Sequence, residues 1–269
     1  MEPKVVLITG ASSGIGKICA EHLQRREFRV YGASRTVPPE KAGYENIRLD
    51  VNDDASVTAG INEIMAREGR IDVVVNCAGF GIAGSVEDTS LDEAKSQLET
   101  NFFGVLRVCK AVLPAMRAQQ SGLIINISSI AGVVSLPFQG FYSAGKFALE
   151  GMTEALRMEV TPYGVRVVLV EPGDFRTQFA ANRKLTAASQ NDSVYRERFG
   201  KALAIFEKEE SNGANPQAIA QLIERLINKS NPKLRYSVGP AFQRIVPALK
   251  QILPHKLYEL LFMKYYNVR

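Results

Sequence analysis

The stretch KVVLITGASSGIGK, residues 4–17, sets an apolar run against a turn that holds three glycines. Residues 5–9 read as a buried strand and residue 15 onward as a helix, because a continuous apolar run gives way to helical spacing. Three chemistries place glycines between a strand and a helix. A phosphate-cradling P-loop needs G-x-x-x-x-G-K-[ST]; Gly10 and Gly16 are one residue too far apart, and Ile18 stands where the hydroxyl belongs. A nucleophile elbow, G-x-S-x-G, occurs as Gly10-Ala11-Ser12-Ser13-Gly14, but its triad needs a histidine, and the chain has only His22 and His255. The third is a dinucleotide site, whose glycines let backbone N–H groups at a helix N-terminus approach a pyrophosphate. A merely structural turn is the plain alternative.

The rest of the chain narrows the choice. Its 269 residues, 46% hydrophobic and 23% charged, suffice for one large core and require no second domain. A formal charge of +5 without arginine runs interleaved with aromatics argues against nucleic acid as a partner. Cys19, Cys77 and Cys109 show no metal spacing and suggest a reducing compartment. With no charged-then-apolar leader before the first strand and no window as long as a membrane span, the expectation is a cytoplasmic protein.

Further apolar runs at 28–33, 47–50, 71–76, 122–128 and 165–171 alternate with helical patterns around 14–26, 54–68, 90–119 and 142–162. Such alternation implies right-handed crossovers and a doubly wound parallel sheet of α/β class, with helices on both faces. Ligands of such sheets lie beyond the carboxyl ends of the strands. Those ends carry the glycine turn, Ser34-Arg35-Thr36, Asp50-Val51, Asn76-Cys77-Ala78-Gly79, Ser128-Ser129 and Pro172-Gly173. Asp50 could otherwise cap the helix that follows it. Thirteen residues after Ser129 comes Tyr142, and one helical turn later Lys146 on the same face.

TGASSGIG, NCAG, the serine ahead of that gap, YSAGK and PGDFRT resemble, in order and spacing, the short-chain dehydrogenase/reductase family over residues 4 to 180. The resemblance implies a single Rossmann-type domain over 1–269 with about seven strands, a nicotinamide cofactor and no metal. It implies a catalytic set in which Tyr142 is general acid and base and Ser129 holds the substrate oxygen. Lys146 would depress the phenol and hold the nicotinamide ribose, while Asn101 would place a relay water. A free phenol titrates near 10, so lowering it by about three units takes roughly 4 kcal/mol of differential stabilisation. Cofactor contacts carried over are Gly10, Ser12, Ser13, Gly14, Ile15, Gly16, Ser34, Arg35, Asp50, Val51, Asn76, Ala78, Gly79, Tyr142, Lys146, Pro172, Gly173 and Thr177. Cys77 departs from the family pattern, which has a second asparagine there. Arg35, where an acidic residue would select NAD(H), suits the 2′-phosphate of NADP(H).

Residues 174–215 read as an inserted substrate loop, and with YSAGKFALEGMTEALRMEV, NPQAIAQLIERLI and PKLRYSVGP they are similar to the 17-beta-hydroxysteroid and retinol dehydrogenase branch. That implies a lipophilic alcohol or carbonyl substrate, steroid-, retinoid- or lipid-like. The family also suggests a homodimer or homotetramer paired near 104–119 and 142–162. A non-catalytic NADP(H) sensor is the alternative, against which the intact catalytic set argues. In the tail, 241–269, Pro247 and Pro254 are expected to break an apolar pattern into short helices. This cap, with five basic residues against Glu259, either closes the core or meets a membrane surface.

Overall fold

The computed structural model describes residues 2–36, 43–191 and 193–269. In chain order the elements are β1 (Val5–Thr9), α1 (Gly14–Arg25), β2 (Arg29–Ser34), β3 (Glu45–Arg48), α2 (Asp54–Glu68), β4 (Val73–Asn76) and β5 (Ile82–Ala83). Then follow α3 (Leu91–Leu98), α4 (Gly104–Ala118), β6 (Gly122–Ile127), α5 (Gly140–Val160), β7 (Val165–Pro172) and β8 (Lys184–Leu185). The chain continues through α6 (Arg196–Ser211), α7 (Gln217–Ile227), β9 (Arg235–Val238), α8 (Ala241–Ile252) and α9 (His255–Tyr265).

Seven strands pair in parallel in the order β3-β2-β1-β4-β6-β7-β9, while β5 and β8 form a small parallel pair of their own. All residues of β1, β4 and β6 are buried, which is why these strands are apolar runs without alternation. One face of the sheet packs on α2, α4 and α5, through residues such as Ile64, Val108 and Leu149. The other packs on α1 and α7 through Leu23, Ile219 and Ile223. Each such side chain, fully buried, contributes about 1.5–3 kcal/mol. Between α1 and α7, His22 Nε2 lies 2.6 Å from Glu224 Oε2 and its Nδ1 2.6 Å from the Gln217 amide. His22 is therefore committed to helix packing, and the nucleophile-elbow reading of the glycine turn loses its nearer base.

The chain leaves β1 towards β2 and β3 and then returns to β4 on the other side, so a crevice opens at the carboxyl ends of β1 and β4. Two local expectations are corrected and one alternative reading falls. The predicted helix at 90–119 is α3 and α4 joined by a π-helical turn at Glu99–Phe103, the widening that brings both Gln97 and Asn101 onto the Phe80 backbone. Asp53, and not Asp50, caps α2, accepting from Ala55 N at 2.9 Å. Pro247 does not break the tail: it lies inside α8, and only Pro254 separates α8 from α9. One missing N–H is offset there by Val246 packing on Ile130 and Val134. Among the described residues no helix is long and apolar enough to cross a membrane.

Candidate active site

The crevice widens into a cavity of about 1020 Å³ that runs from the glycine turn to the C-terminal helices. Gly10 and Gly14 take φ of +70° and +54°, and a Cβ on Gly16 would sit 2.3 Å from the Gly10 carbonyl oxygen. Bare backbone is thus what lets α1 start directly over the turn. Ser13 stands at the N-cap without accepting a side-chain hydrogen bond, so the first N–H groups of α1 remain for an acceptor in the cavity. That is the donor set a pyrophosphate requires, and the residues present fit a dinucleotide.

Of the cofactor residues expected from sequence, Gly10, Ser12, Ser13, Gly14, Ile15, Gly16, Ser34, Arg35, Asp50, Val51, Ala78, Gly79, Pro172, Gly173 and Thr177 all line the cavity, as do Tyr142 and Lys146. Asn76 does not line it. Its amide donates to Asn126 Oδ1 at 2.9 Å, a buried bond that ties β4 to β6 inside the sheet. Thr9 Oγ1 accepts from both Cys77 N and Ala78 N at 3.1 Å, which fixes the bend after β4 through backbone groups. The Cys77 thiol itself is pushed up to about 12 by burial and stays neutral.

Ser129, Tyr142, Lys146 and Asn101 all line the cavity, with Lys146 Nζ 6.0 Å from the centre of the Tyr142 ring. Ser129 starts the short turn after β6, where its Oγ accepts from Ala131 N at 3.0 Å and donates to Pro172 O at 3.4 Å. Burial pushes the Tyr142 phenol up to about 12; a hydrogen bond with Ser129 opposes this, and Glu210 adds to it. Burial lowers Lys146 to about 8 against the pull of nearby Glu150, and Lys146 Nζ donates to Ile127 O at 2.8 Å. Asn101 Oδ1 accepts from Phe80 N at 3.1 Å and its Nδ2 donates to Phe80 O at 2.9 Å, so the side chain holds the loop that walls the site. The neighbouring Ser128 is buried, and its Oγ lies with Glu150 and the stem of Lys146 against Gly132. A phenol, a hydroxyl and an ammonium so placed can hold and protonate one oxygen.

Beyond Tyr142 the cavity is apolar, with Phe179 at 5.7 Å between ring centroids and Phe206, Val246, Leu249 and Phe262 further out. One wall is acidic. Asp174, Glu209 and Glu210 line it, with the buried guanidinium of Arg183 paired to Glu210 from behind. Burial raises all three carboxyls, and Glu209, next to Asp174 and Glu210, reaches about 7. Gln243 of α8 bonds the Asp174 backbone and carboxylate, and Tyr265 of α9 bonds Glu209. Sequence reasoning missed this wall. In "VYRERFGKALAIFEKEE" only the helical period was visible, and Glu209 and Glu210 look like part of a solvated charged run.

A family model described as short chain dehydrogenase matches residues 4–188. A 3-ketodihydrosphingosine reductase of Bacteroides thetaiotaomicron is 44% identical over 270 residues, covering 100% of each chain. Mouse 17-beta-hydroxysteroid dehydrogenase type 1 is 35% identical over 88% of this chain and 74% of its own. The crystal structure of a short-chain dehydrogenase from Streptomyces avermitilis superposes with a TM-score of 0.82 at 32% identity, covering 99% of this chain and 98% of the other. The glycine turn, the Ser-Tyr-Lys group and these likenesses agree, and the chain belongs to the short-chain dehydrogenase/reductase family, oxidoreductases that act on alcohol or carbonyl groups with a nicotinamide cofactor.

Proposed function

We propose that the protein is an NADPH-dependent reductase of a long-chain lipid ketone, working at Tyr142. The observation that carries this reading is the cavity itself, in which Ser129, Tyr142 and Lys146 stand between the dinucleotide turn and an apolar chamber. When bound, the nicotinamide supplies the two electrons of reduction. Ser129 donates a hydrogen bond to the carbonyl oxygen, and Tyr142 delivers the proton that this oxygen takes as it becomes an alkoxide. Held at about 12 by burial, the phenol is protonated at neutral pH, ready to act as an acid. The Lys146 ammonium stabilises the phenolate left behind.

The acidic wall refines the substrate. The ketone in the name of the 44% identical relative, 3-ketodihydrosphingosine, carries an amine beside its carbonyl and a long alkyl chain. A protonated amine suits Asp174 and Glu209, and the alkyl chain suits the apolar chamber. NADPH is favoured over NADH by Arg35, which lines the cavity after β2. Exposed Phe147 and Met158 on α5 support pairing of copies through the α4 and α5 faces as a homodimer or homotetramer, which light scattering tests. The enzyme is expected in the cytoplasm, peripheral to lipid.

Absorbance of NADPH decides the reading against a panel of long-chain 2-amino-3-ketones, their N-acetyl forms, steroid ketones and short ketones. Turnover of the free amino ketone well above its N-acetyl form supports it. NADPH binding without turnover of any ketone would favour the sensor instead.

A further inference from the structure

We propose that α8 and α9 form a collar that seats the cavity mouth on an anionic lipid bilayer and lets the substrate pass from membrane to site. The proposal rests on the lipid-ketone reading above.

Of fifteen large apolar side chains that stand exposed among the described residues, eight lie between Phe242 and Tyr265, although this stretch is a small part of the chain. Phe242, Ile245 and Ile252 are 60%, 54% and 77% exposed, and with Leu249 they follow the spacing i, i+3, i+7, i+10 of one helical stripe on α8. On α9, Leu257, Leu260 and Leu261 are exposed side by side, with Lys264 in the same row. Scattered exposed leucines need no explanation; a contiguous apolar patch does.

The patch is continuous with the cavity. Phe242, Leu261 and Tyr265 are at once exposed and cavity-lining, and the Phe242 and Tyr265 rings face each other across the two helices at 6.3 Å. Phe206 and Phe262 line the same cavity further in, so an alkyl chain that leaves a bilayer along this collar finds apolar side chains both at the mouth and inside.

Charge identifies the occupant. Residues 241–269 carry Arg244, Lys250, Lys256, Lys264 and Arg269 against Glu259, five minus one, or +4 of the chain's +5. Lys250 is spent on Val133 O. Arg244, Lys256, Lys264 and Arg269 make no ion pair among the described residues, and Glu259 sits 3.6 Å from His255. A second copy docked on this face would set like charge against like; anionic headgroups reverse the sign and add attraction to apolar burial.

Full-length protein is sedimented with phosphatidylcholine vesicles, with and without phosphatidylglycerol, and compared with the double variant Ile252→Asp/Leu260→Asp, whose two positions are exposed and outside the cavity lining. Wild type is expected on the anionic vesicles, less so at high salt, and the variant bound on the order of tenfold less, since it loses two buried apolar groups and gains two negative charges. The variant should also lose turnover of a vesicle-embedded long-chain ketone while keeping turnover of a short soluble one. Wild type that ignores anionic vesicles, or a variant that still turns over the embedded ketone, overturns the collar. A wild-type dimer split by the variant, with no vesicle binding, overturns it in favour of a second copy. Vesicle binding by a protein that reduces no ketone leaves the collar standing and defeats the functional reading instead.

Discussion

Tyr142 and Ser129 act on one oxygen in the proposed mechanism, so each loss has its own signature. Tyr142→Phe keeps the ring against Phe179 and removes the proton; NADPH should still bind while kcat falls on the order of a hundredfold or more. Ser129→Ala should be similarly impaired. Ser128→Ala should be mild in turnover, because Ser128 Oγ lies with Glu150 against Gly132, while it is Ser129 that bonds Tyr142. Steady-state kinetics with the three variants test this order, and a Ser128 variant worse than the Ser129 variant would reassign the serine. Arg35→Asp puts repulsion where the 2′-phosphate would lie and an acceptor where two ribose hydroxyls would lie. The ratio of kcat/KM for NADPH over NADH should drop on the order of tenfold or more. A wild type that already prefers NADH sinks the cofactor assignment. At this scale the placement of residues at the strands' carboxyl ends is legible in the sequence, since the parallel topology brings those ends to one cavity. It is not legible for Asn76, whose motif position marks the sheet edge while its amide is consumed inside, or for Asp174, Glu209 and Glu210, whose gathering depends on how α6 folds back.

The turn between β1 and α1 is the element with least tolerance. Gly16→Ala would drive a methyl group into the Gly10 carbonyl, so the helix start must shift and the N–H donors with it. NADPH affinity and melting temperature should both fall. Gly151→Ala is the contrast: nothing lies within 4 Å of that added methyl on α5, and the variant should gain about 0.5–1 kcal/mol in a denaturant titration. Equal behaviour of the two would refute the close-approach argument. Strand and helix periods were legible along nearly the whole sheet because buried parallel strands are apolar without alternation. The π-helical turn was not, since the spacing of apolar residues hardly registers one extra residue when Gln97 and Asn101 both bond Phe80. Nor was Pro247, because a proline inside α8 is a penalty that tertiary packing outweighs, and local reasoning sees only the penalty.

Across the whole molecule, burial of acid at the cavity wall links stability to pH. Glu209 binds its proton near 7 in the folded protein and near the ordinary 4.5 when unfolded. Between those values the folded state holds more proton, so wild type loses stability as pH rises through that window. Glu209→Gln, whose side-chain carbonyl can still accept from Tyr265, should melt like wild type at the low end of the window and hotter above pH 7. Melting curves across the window decide it, and a constant difference at all pH values would contradict the linkage. Gly10 and Tyr265, near opposite ends of the sequence, line the same space, so a molecule filling it joins the first turn of the fold to its last helix. Anything that binds only the folded chain adds RT ln(1 + [L]/Kd), about 2.7 kcal/mol at a hundredfold excess over Kd. Bound nicotinamide cofactor is thus a part of the fold's stability as well as of its chemistry.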